Sequence, residues 1–297
     1  MVKRWACYLA KLLNCANISF MFKYGIASAL EDLFPGHPVS LRGSIDYICR
    51  GAKKIGYDAI ELHIYEPKRY DTEEIRRTLY EYGLSICAIA NGLEYTLGGL
   101  SLIDDDIAVR NAAMERYYEH IDFASALNAG LIVGMMRGNI PRGGDKKIYF
   151  DRFTSALEKI CGYAKERNVS LFLESIMRYM VNYLCGVKES MDFITTMKKD
   201  NLFLHIDTHS MAVEEQNLKD SILYCKNKAL GYVHFSENNR MYPGAGALDF
   251  KEMTSALMEI GYKGYITIEC LPLPNGEESA KRALDYMKAI EKVISIW

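Results

Sequence analysis

Four side chains of this 297-residue chain follow directly on short apolar runs and are of types that hold a hard divalent cation. Glu174 follows Val169–Leu173, Asp207 follows Leu202–Ile206, His234 follows Tyr232 and Val233, and Glu269 follows Tyr265–Ile268. Taken singly, a carboxylate at a strand end is more often a helix cap or a surface group. Three carboxylates and one imidazole together suit an octahedral Mn²⁺, with Mg²⁺ or Co²⁺ as alternatives, better than a closed thiolate zinc site. Two carboxylates facing each other across such an ion suggest proton chemistry beside a carbonyl. One removes the proton, the cation stabilises the enediolate, and the other returns a proton from the opposite face. The stretch Gly231–Asp249 reads as a strand emptying into such a site, with His234, Glu237, Asn238, Asn239 and Arg240 packed together before the turn through Pro243, Gly244 and Gly246.

Those groups need a scaffold that brings strand ends together. Apolar or β-branched runs recur at Ile18–Phe22, Ala59–Ile64, Leu84–Ala90, Leu131–Met136, Val169–Leu173, Leu202–Ile206, Tyr232–Phe235 and Tyr265–Ile268. Their starts are separated by 41, 25, 47, 38, 33, 30 and 33 residues, room each time for a crossover helix. The intervening segments have helical periodicity: Met114, Tyr117, Ile121 and Ala124 share one face, as do Ala283, Met287, Ile290 and Ile294. Gly56, Gly83, Gly130 and Gly261, with Asn168, stand where helices would stop before the next strand. The pattern predicts an α/β protein, a single (β/α)8 TIM barrel over residues 17–297 behind an N-terminal extension 1–16, with its chemistry on the loops leaving the strand C-termini. A doubly wound open sheet is the competing architecture.

A formal charge of -2 and a pI near 6.3 give no basic field for nucleic acid or an anionic membrane, which makes a small molecule the expected partner. Eight scattered cysteines without a C-x-x-C pair fit reduced thiols and a cytoplasmic location. Lys3 and Arg4 ahead of Trp5–Ala10 imitate a signal peptide, and Leu12-Leu13-Asn14-Cys15 a lipoprotein cleavage site. Lys11 and Asn14 interrupt the first, and Asn14 suits the second poorly. No run reaches the ~18 apolar residues of a membrane-spanning helix. No dinucleotide or P-loop fingerprint is present. The basic loop Arg137–Lys147 could meet a substrate anion, although such runs are usually just solvated.

The motifs Leu173-Glu-Ser-Ile-Met-Arg178, Ile206-Asp-Thr-His-Ser-Met-Ala-Val-Glu-Glu215, Val233–Gly246 and Ile260–Glu269 resemble the sugar isomerase and epimerase barrels typified by the ketose 3-epimerases. The resemblance covers most of the chain from about Ile18, and the gaps of 33 (174 to 207), 27 (207 to 234) and 35 (234 to 269) are similar to the family's. It implies Glu174, Asp207, His234 and Glu269 as metal ligands, Glu174 and Glu269 as the acid/base pair, Arg240 on substrate oxygens, a sugar as substrate, and a homo-oligomer, dimer or tetramer. Two positions depart from the pattern. Met180 stands where the family has a second Glu, and Ser210 where it has a substrate-binding His, while His209 occupies the preceding position. Each lost group would remove a charge-assisted hydrogen bond worth ~1.5–3 kcal/mol, which argues against a free ketohexose as substrate.

Further substrate contacts are expected from His63, His209, Ser210, Arg178 and Glu237, each with a plainer alternative. Glu61 and His63 alternate along a strand and could both face the barrel interior; a satisfied rim histidine is the plainer reading of His63. Residues adjacent on a strand face opposite ways, which would set His209 against Ser210. Arg178 could be a structural ion pair, and Glu237 could receive and aim Arg240. Phe22 and Tyr24 are expected to wall the pocket at the end of strand one. The functional reading is a metal-dependent isomerase or epimerase of a keto sugar or sugar derivative. Its competitors are a lyase acting on a 3-keto glycoside, a non-catalytic sugar-binding barrel, and a phosphodiesterase like the apurinic endonucleases, whose many metal-binding histidines the six of this chain do not match.

Overall fold

A computed structural model describes residues 22–31, 33–34 and 36–296. Among the described residues nine strands run β1 Lys23–Ala29, β2 Leu41–Arg42, β3 Ala59–His63, β4 Ser85–Ala90, β5 Gly130–Val133, β6 Leu171–Ser175, β7 Leu202–Asp207, β8 Leu230–Phe235 and β9 Tyr265–Ile268. All pair in parallel in the order β1-β3-β4-β5-β6-β7-β8-β9, and β9 pairs back onto β1 to close an eight-stranded barrel. The two-residue β2 pairs with β1 alone.

Crossover helices follow as the spacing predicts: α1 Ile45–Ile55, α2 Thr72–Tyr82, α3 Leu93–Thr96, α4 Ile107–Ala126, α5 Lys146–Glu166, α6 Val187–Met197, α7 Thr208–Glu214, α8 Leu218–Tyr224, α9 Phe250–Glu259 and α10 Gly276–Ile296. The short α3 and α7 sit at strand ends on the rim. Side-chain oxygens cap the starts. Asp71, Asp106, Asp145 and Asp249 each accept a backbone N–H in the first turn of the helix that follows. Gly56, Gly83 and Gly261 take the expected positive φ after α1, α2 and α9. After α4 the left-handed residue is Asn128 at φ 53°, as Asn168 is after α5 at φ 57°. Gly130 is small for another reason: a Cβ there would lie 2.2 Å from the Phe172 ring inside the barrel.

The first strand differs from expectation. Of the run Ile18–Phe22 only Phe22 is described, and it precedes β1; the extension 1–16 also lies outside the described residues. Strand β1 reads Lys-Tyr-Gly-Ile-Ala-Ser-Ala because its inward positions must be small. A Cβ on Gly25 would stand 2.5 Å from Oγ1 of Thr267, its rung partner on the neighbouring β9. A search for apolar runs passes over such a strand. Tyr24 therefore lies at the closed end of the barrel and not in the pocket, its hydroxyl donating to Glu291 Oε1 at 2.8 Å, with the Phe22 N–H on the same oxygen at 3.3 Å.

Two apolar layers position the site. The larger fills the space between strands and helices, where the outward-facing Ile60, Leu62, Leu131, Leu173, Leu204 and Val233 meet Tyr117, Ile121, Leu157 and Met287. The smaller plugs the barrel with Ala59, Cys87, Ala88 and Tyr232, and Phe172 stacks on Tyr232 at 5.0 Å. The polar groups of the site stand above that plug. All six described cysteines are free, and among the described residues no helix is long and apolar enough to cross a membrane.

Candidate active site

Above the plug, at the C-terminal ends of the strands, lies a cavity of about 330 Å³ lined by Glu174, Asp207, His234, Glu269, Arg240, His63, His209 and Ser210 among others. The four expected metal-binding side chains thus share one cavity. Register explains part of this convergence. Asp207 is the rung partner of His234, and the Glu269 N–H donates to the Phe235 carbonyl at 3.3 Å, which seats Glu269 just beyond His234. Asp207 also ends its strand by capping α7, accepting the His209 N–H at 2.9 Å. Because α7 begins there, His209 and Ser210 are consecutive helical residues about 100° apart, not strand neighbours facing opposite ways, and both reach the cavity. His209 Nδ1 bonds the Glu237 carbonyl at 3.2 Å, which leaves Nε2 as an acceptor.

Glu61 organises the floor. Fully buried on β3, it accepts from His234 Nε2 at 2.7 Å, His63 Nε2 at 2.9 Å and the Tyr232 hydroxyl at 2.7 Å. Burial alone would raise its carboxyl, but His234 and His63 outweigh it and hold Glu61 ionised. With Nε2 engaged, His234 presents Nδ1 to the cavity. That atom is 3.2 Å from Glu269 Oε2 yet makes no hydrogen bond of acceptable geometry. A carboxylate fixing one ring nitrogen while the other stays free is how proteins orient a metal-ligating histidine.

Arg240 is the cation of the site. Its guanidinium bridges Asp207 and Glu269 and reaches Ser236 Oγ at 3.3 Å. Its backbone sits in the left-handed region at φ 64°, unusual for a side-chain-bearing residue, held by its N–H on the Glu237 carbonyl at 2.9 Å and its carbonyl on the Leu271 N–H at 2.9 Å. Strain of this kind, ~1–3 kcal/mol, persists where surrounding bonds fix it. The two outer carboxylates differ accordingly. Burial and the negative charge of Glu269 push Glu174 up to about 8. For Glu269 burial acts in the same direction, but Arg240 and His234 outweigh it and keep the carboxyl well below its ordinary range.

The donor atoms fit a hard dication. One atom each from Glu61, His234 and Glu269 lie within 4.8 Å of one another, and so do atoms of Glu174, His205 and His234. His234 belongs to both groups. Asp207 belongs to neither and is tied to them through Arg240. His205 was missed by the sequence reading. It packs edge-on against His234 with ring centroids 4.2 Å apart, both its nitrogens lack hydrogen bonds, and burial together with His234 keeps it neutral. The signal was present, since His205 stands two residues before Asp207 on β7 and shares its inward face. His37 was also missed. It lines the cavity edge-on to His63 at 5.5 Å, and burial, then His63, lower its pKa to about 4.

Three expected contacts are not made. Arg178 lies outside the cavity, with 62% of its side chain exposed, and forms a bidentate pair with Glu214 at 3.0 and 2.6 Å. Glu237 does not receive the Arg240 side chain. Fully buried, it accepts the N–H groups of Gly244 at 2.9 Å and Leu248 at 3.0 Å and so shapes the loop beyond Arg240. The basic loop contributes no anion site to this cavity. Its Arg137 is buried, holding the Glu174 carbonyl at 2.9 Å and the Leu184 carbonyl at 3.4 Å, and Arg142, Lys146 and Lys147 do not line the pocket.

Known proteins share this fold and part of this sequence. Residues 49–290 match the family of xylose isomerase-like TIM barrels. An L-ribulose 3-epimerase from Methylomonas sp. (strain DH-1) is 30% identical over 226 residues, 74% of this chain and 76% of that protein. A crystal structure of a D-allulose 3-epimerase from Methylomonas sp. in complex with D-allulose superposes with a TM-score of 0.77 at 25% identity, covering 91% of this chain and 98% of the other. The 3-keto-D-glucoside 4-epimerase from E. coli has the same fold, with a TM-score of 0.76 at 19% identity over 90% of this chain and 99% of that one.

Proposed function

The chain belongs to the xylose isomerase-like TIM barrel family, and from that membership and the site we propose that it epimerises a keto sugar or sugar derivative by moving a proton through Glu174 and Glu269. The observation that supports this most is the meeting of Glu174, Asp207, His234, Glu269 and Arg240 around one cavity at the strand ends, where barrel enzymes carry their chemistry. Glu269, kept ionised, takes the proton from the carbon beside the ketone. The C–H electron pair moves toward the carbonyl, giving an enediolate, and Arg240 holds substrate oxygens against the carboxylates. Glu174, which retains its proton more readily, delivers it to the opposite face of the same carbon, and the stereocentre inverts without change of mass.

A divalent cation, Mn²⁺ by preference and Mg²⁺ or Co²⁺ otherwise, would be held by Glu174, Asp207, His234 and Glu269 and would supply positive charge beside the developing oxyanion. In this reading His209 and Ser210, which line the cavity, contact substrate hydroxyls, and His63 braces Glu61 from the cavity side. A cytoplasmic homo-oligomer remains part of this reading. The test is NMR in deuterated water with Mn²⁺ and a panel of keto sugars. Solvent deuterium should enter the carbon beside the ketone as an epimer of equal mass accumulates, and fragmentation of the sugar would instead indicate a lyase.

A further inference from the structure

The floor and the mouth of the cavity differ in chemistry. The floor carries carboxylates, imidazoles and Arg240. Over it stand Met135 from the loop after β5, Ile176, Met177 and Met180 from the loop after β6, and Phe34 from the loop after β1. In the closed barrel β6 is four strands from β1 in either direction, so the methionines and Phe34 face each other across the mouth. The hydrogen-bonding residues Asn91, Thr96, His209, Ser210 and Arg240 come from the arcs between them.

The methionine side is held in place by its own backbone. Asn139 Nδ2 donates to the Met180 carbonyl at 2.8 Å, and the Met180 N–H donates to the Met177 carbonyl at 3.0 Å. Asn182 clamps Ile140 through both ends of its amide, at 3.0 and 2.7 Å, while Arg178 ties the turn to Glu214. These bonds use the loop's polar groups and leave its thioethers toward the cavity. Met180 is 43% exposed and Phe34 63% exposed, large apolar surface kept in water at the entrance of a binding site.

A free ketose carries a hydroxyl on nearly every carbon. Each one laid on this wall would lose water and find no partner. An apolar group would lose nothing and would cover the thioethers, whose flexible chains adapt to several shapes. We infer that the substrate is a keto sugar bearing an apolar alkyl or aryl substituent, such as the aglycone of a keto glycoside, bound by Phe34, Met135, Met177 and Met180 while the sugar head sits on the carboxylates. This rests on the epimerase reading above and narrows it.

The experiment is a comparison of solvent deuterium exchange with Mn²⁺ on three probes: free ketohexoses, methyl 3-keto-β-glucoside and phenyl 3-keto-β-glucoside. The kcat/KM should rise in that order, with phenyl at least about ten-fold above methyl and the gain lying in KM, since a remote apolar contact binds ground and transition states alike. Met180→Glu, at a position open enough to solvent to be tolerated, should lower the phenyl-to-methyl ratio about ten-fold or more. Equal kcat/KM on all three probes, exchange confined to free ketohexoses, or a ratio unmoved by Met180→Glu would each overturn the inference and leave the epimerase reading standing. Exchange on none of the probes would overturn both.

Discussion

Replacing Glu61 by Gln tests the floor of the site without touching a residue that faces substrate. The change keeps the side chain's shape and one acceptor oxygen but removes the charge that serves His234 at 2.7 Å, His63 at 2.9 Å and Tyr232 at 2.7 Å. The amide NH₂ then faces a donor, so one of the two imidazole bonds is lost and the other weakened. With charged hydrogen bonds worth ~1.5–3 kcal/mol each, the fold should lose about 3 kcal/mol. At roughly 2 °C per kcal/mol for a chain of this size, the Tm should fall by about 6 °C. His234 also loses the partner that fixes its ring, and outer partners of this kind typically contribute 10–100-fold to metal affinity. Calorimetric titration of the apoprotein with Mn²⁺, paired with a thermal melt, reads both effects. A Glu61→Gln protein that binds Mn²⁺ as tightly as wild type and melts within a degree of it would refute the role given to Glu61.

Two further outcomes follow from residues away from the floor. Arg178→Ala should leave kcat/KM within about two-fold and cost at most ~1 kcal/mol, because its guanidinium is largely exposed and serves Glu214 outside the cavity; a ten-fold loss in a steady-state assay would return it to the site. Glu94, in the first turn of α3, is fully buried, accepting from Arg116, His120 and the Glu66 N–H; burial raises its carboxyl, and the bonds from His120 and Arg116 outweigh that and lower it. Its contribution is therefore complete above the unfolded pKa of ~4.3 and lost as pH falls through the lower folded value, so melts between pH 5 and 3 should show wild type losing more stability than Glu94→Gln, and parallel losses would contradict the assignment.

How far the chain could be read without coordinates depended on the kind of signal. The barrel was legible because buried parallel strands are apolar runs and Gly or Asn marks helix stops; β1 was not, because a strand facing a crowded interior is written in Gly, Ala and Ser. Glu174, Asp207, His234 and Glu269 were legible because they sit at the ends of successive strands, which a closed barrel turns toward one cavity. Arg178 and Glu237 misled because charge next to a motif does not reveal direction: in the fold Arg178 pairs with Glu214 at the end of α7, and Glu237 accepts N–H groups of its own loop. The relation of His209 to Ser210 depended on whether Asp207 ends a strand or starts a helix, and it does both. His205 was legible from its alternation with Asp207 and was passed over, whereas the clasp of Glu61 on His234 needed a contact across the barrel, which no local pattern contains. Met180, noticed as an absence in the sequence, proved to be part of an apolar wall.

The proposal that Glu174 and Glu269 pass a proton is tested most directly by deuterium incorporation into a keto sugar by wild type, Glu269→Gln and Glu174→Gln, each loaded with Mn²⁺ and each checked for folding by circular dichroism. Wild type should exchange the proton beside the ketone and form an epimer of equal mass, and should stop when the ion is chelated. Both variants should stay folded with exchange reduced at least ~10³-fold, on the scale general acid–base groups contribute. Exchange at the wild-type rate in folded Glu269→Gln, or full activity after chelation, would contradict the account.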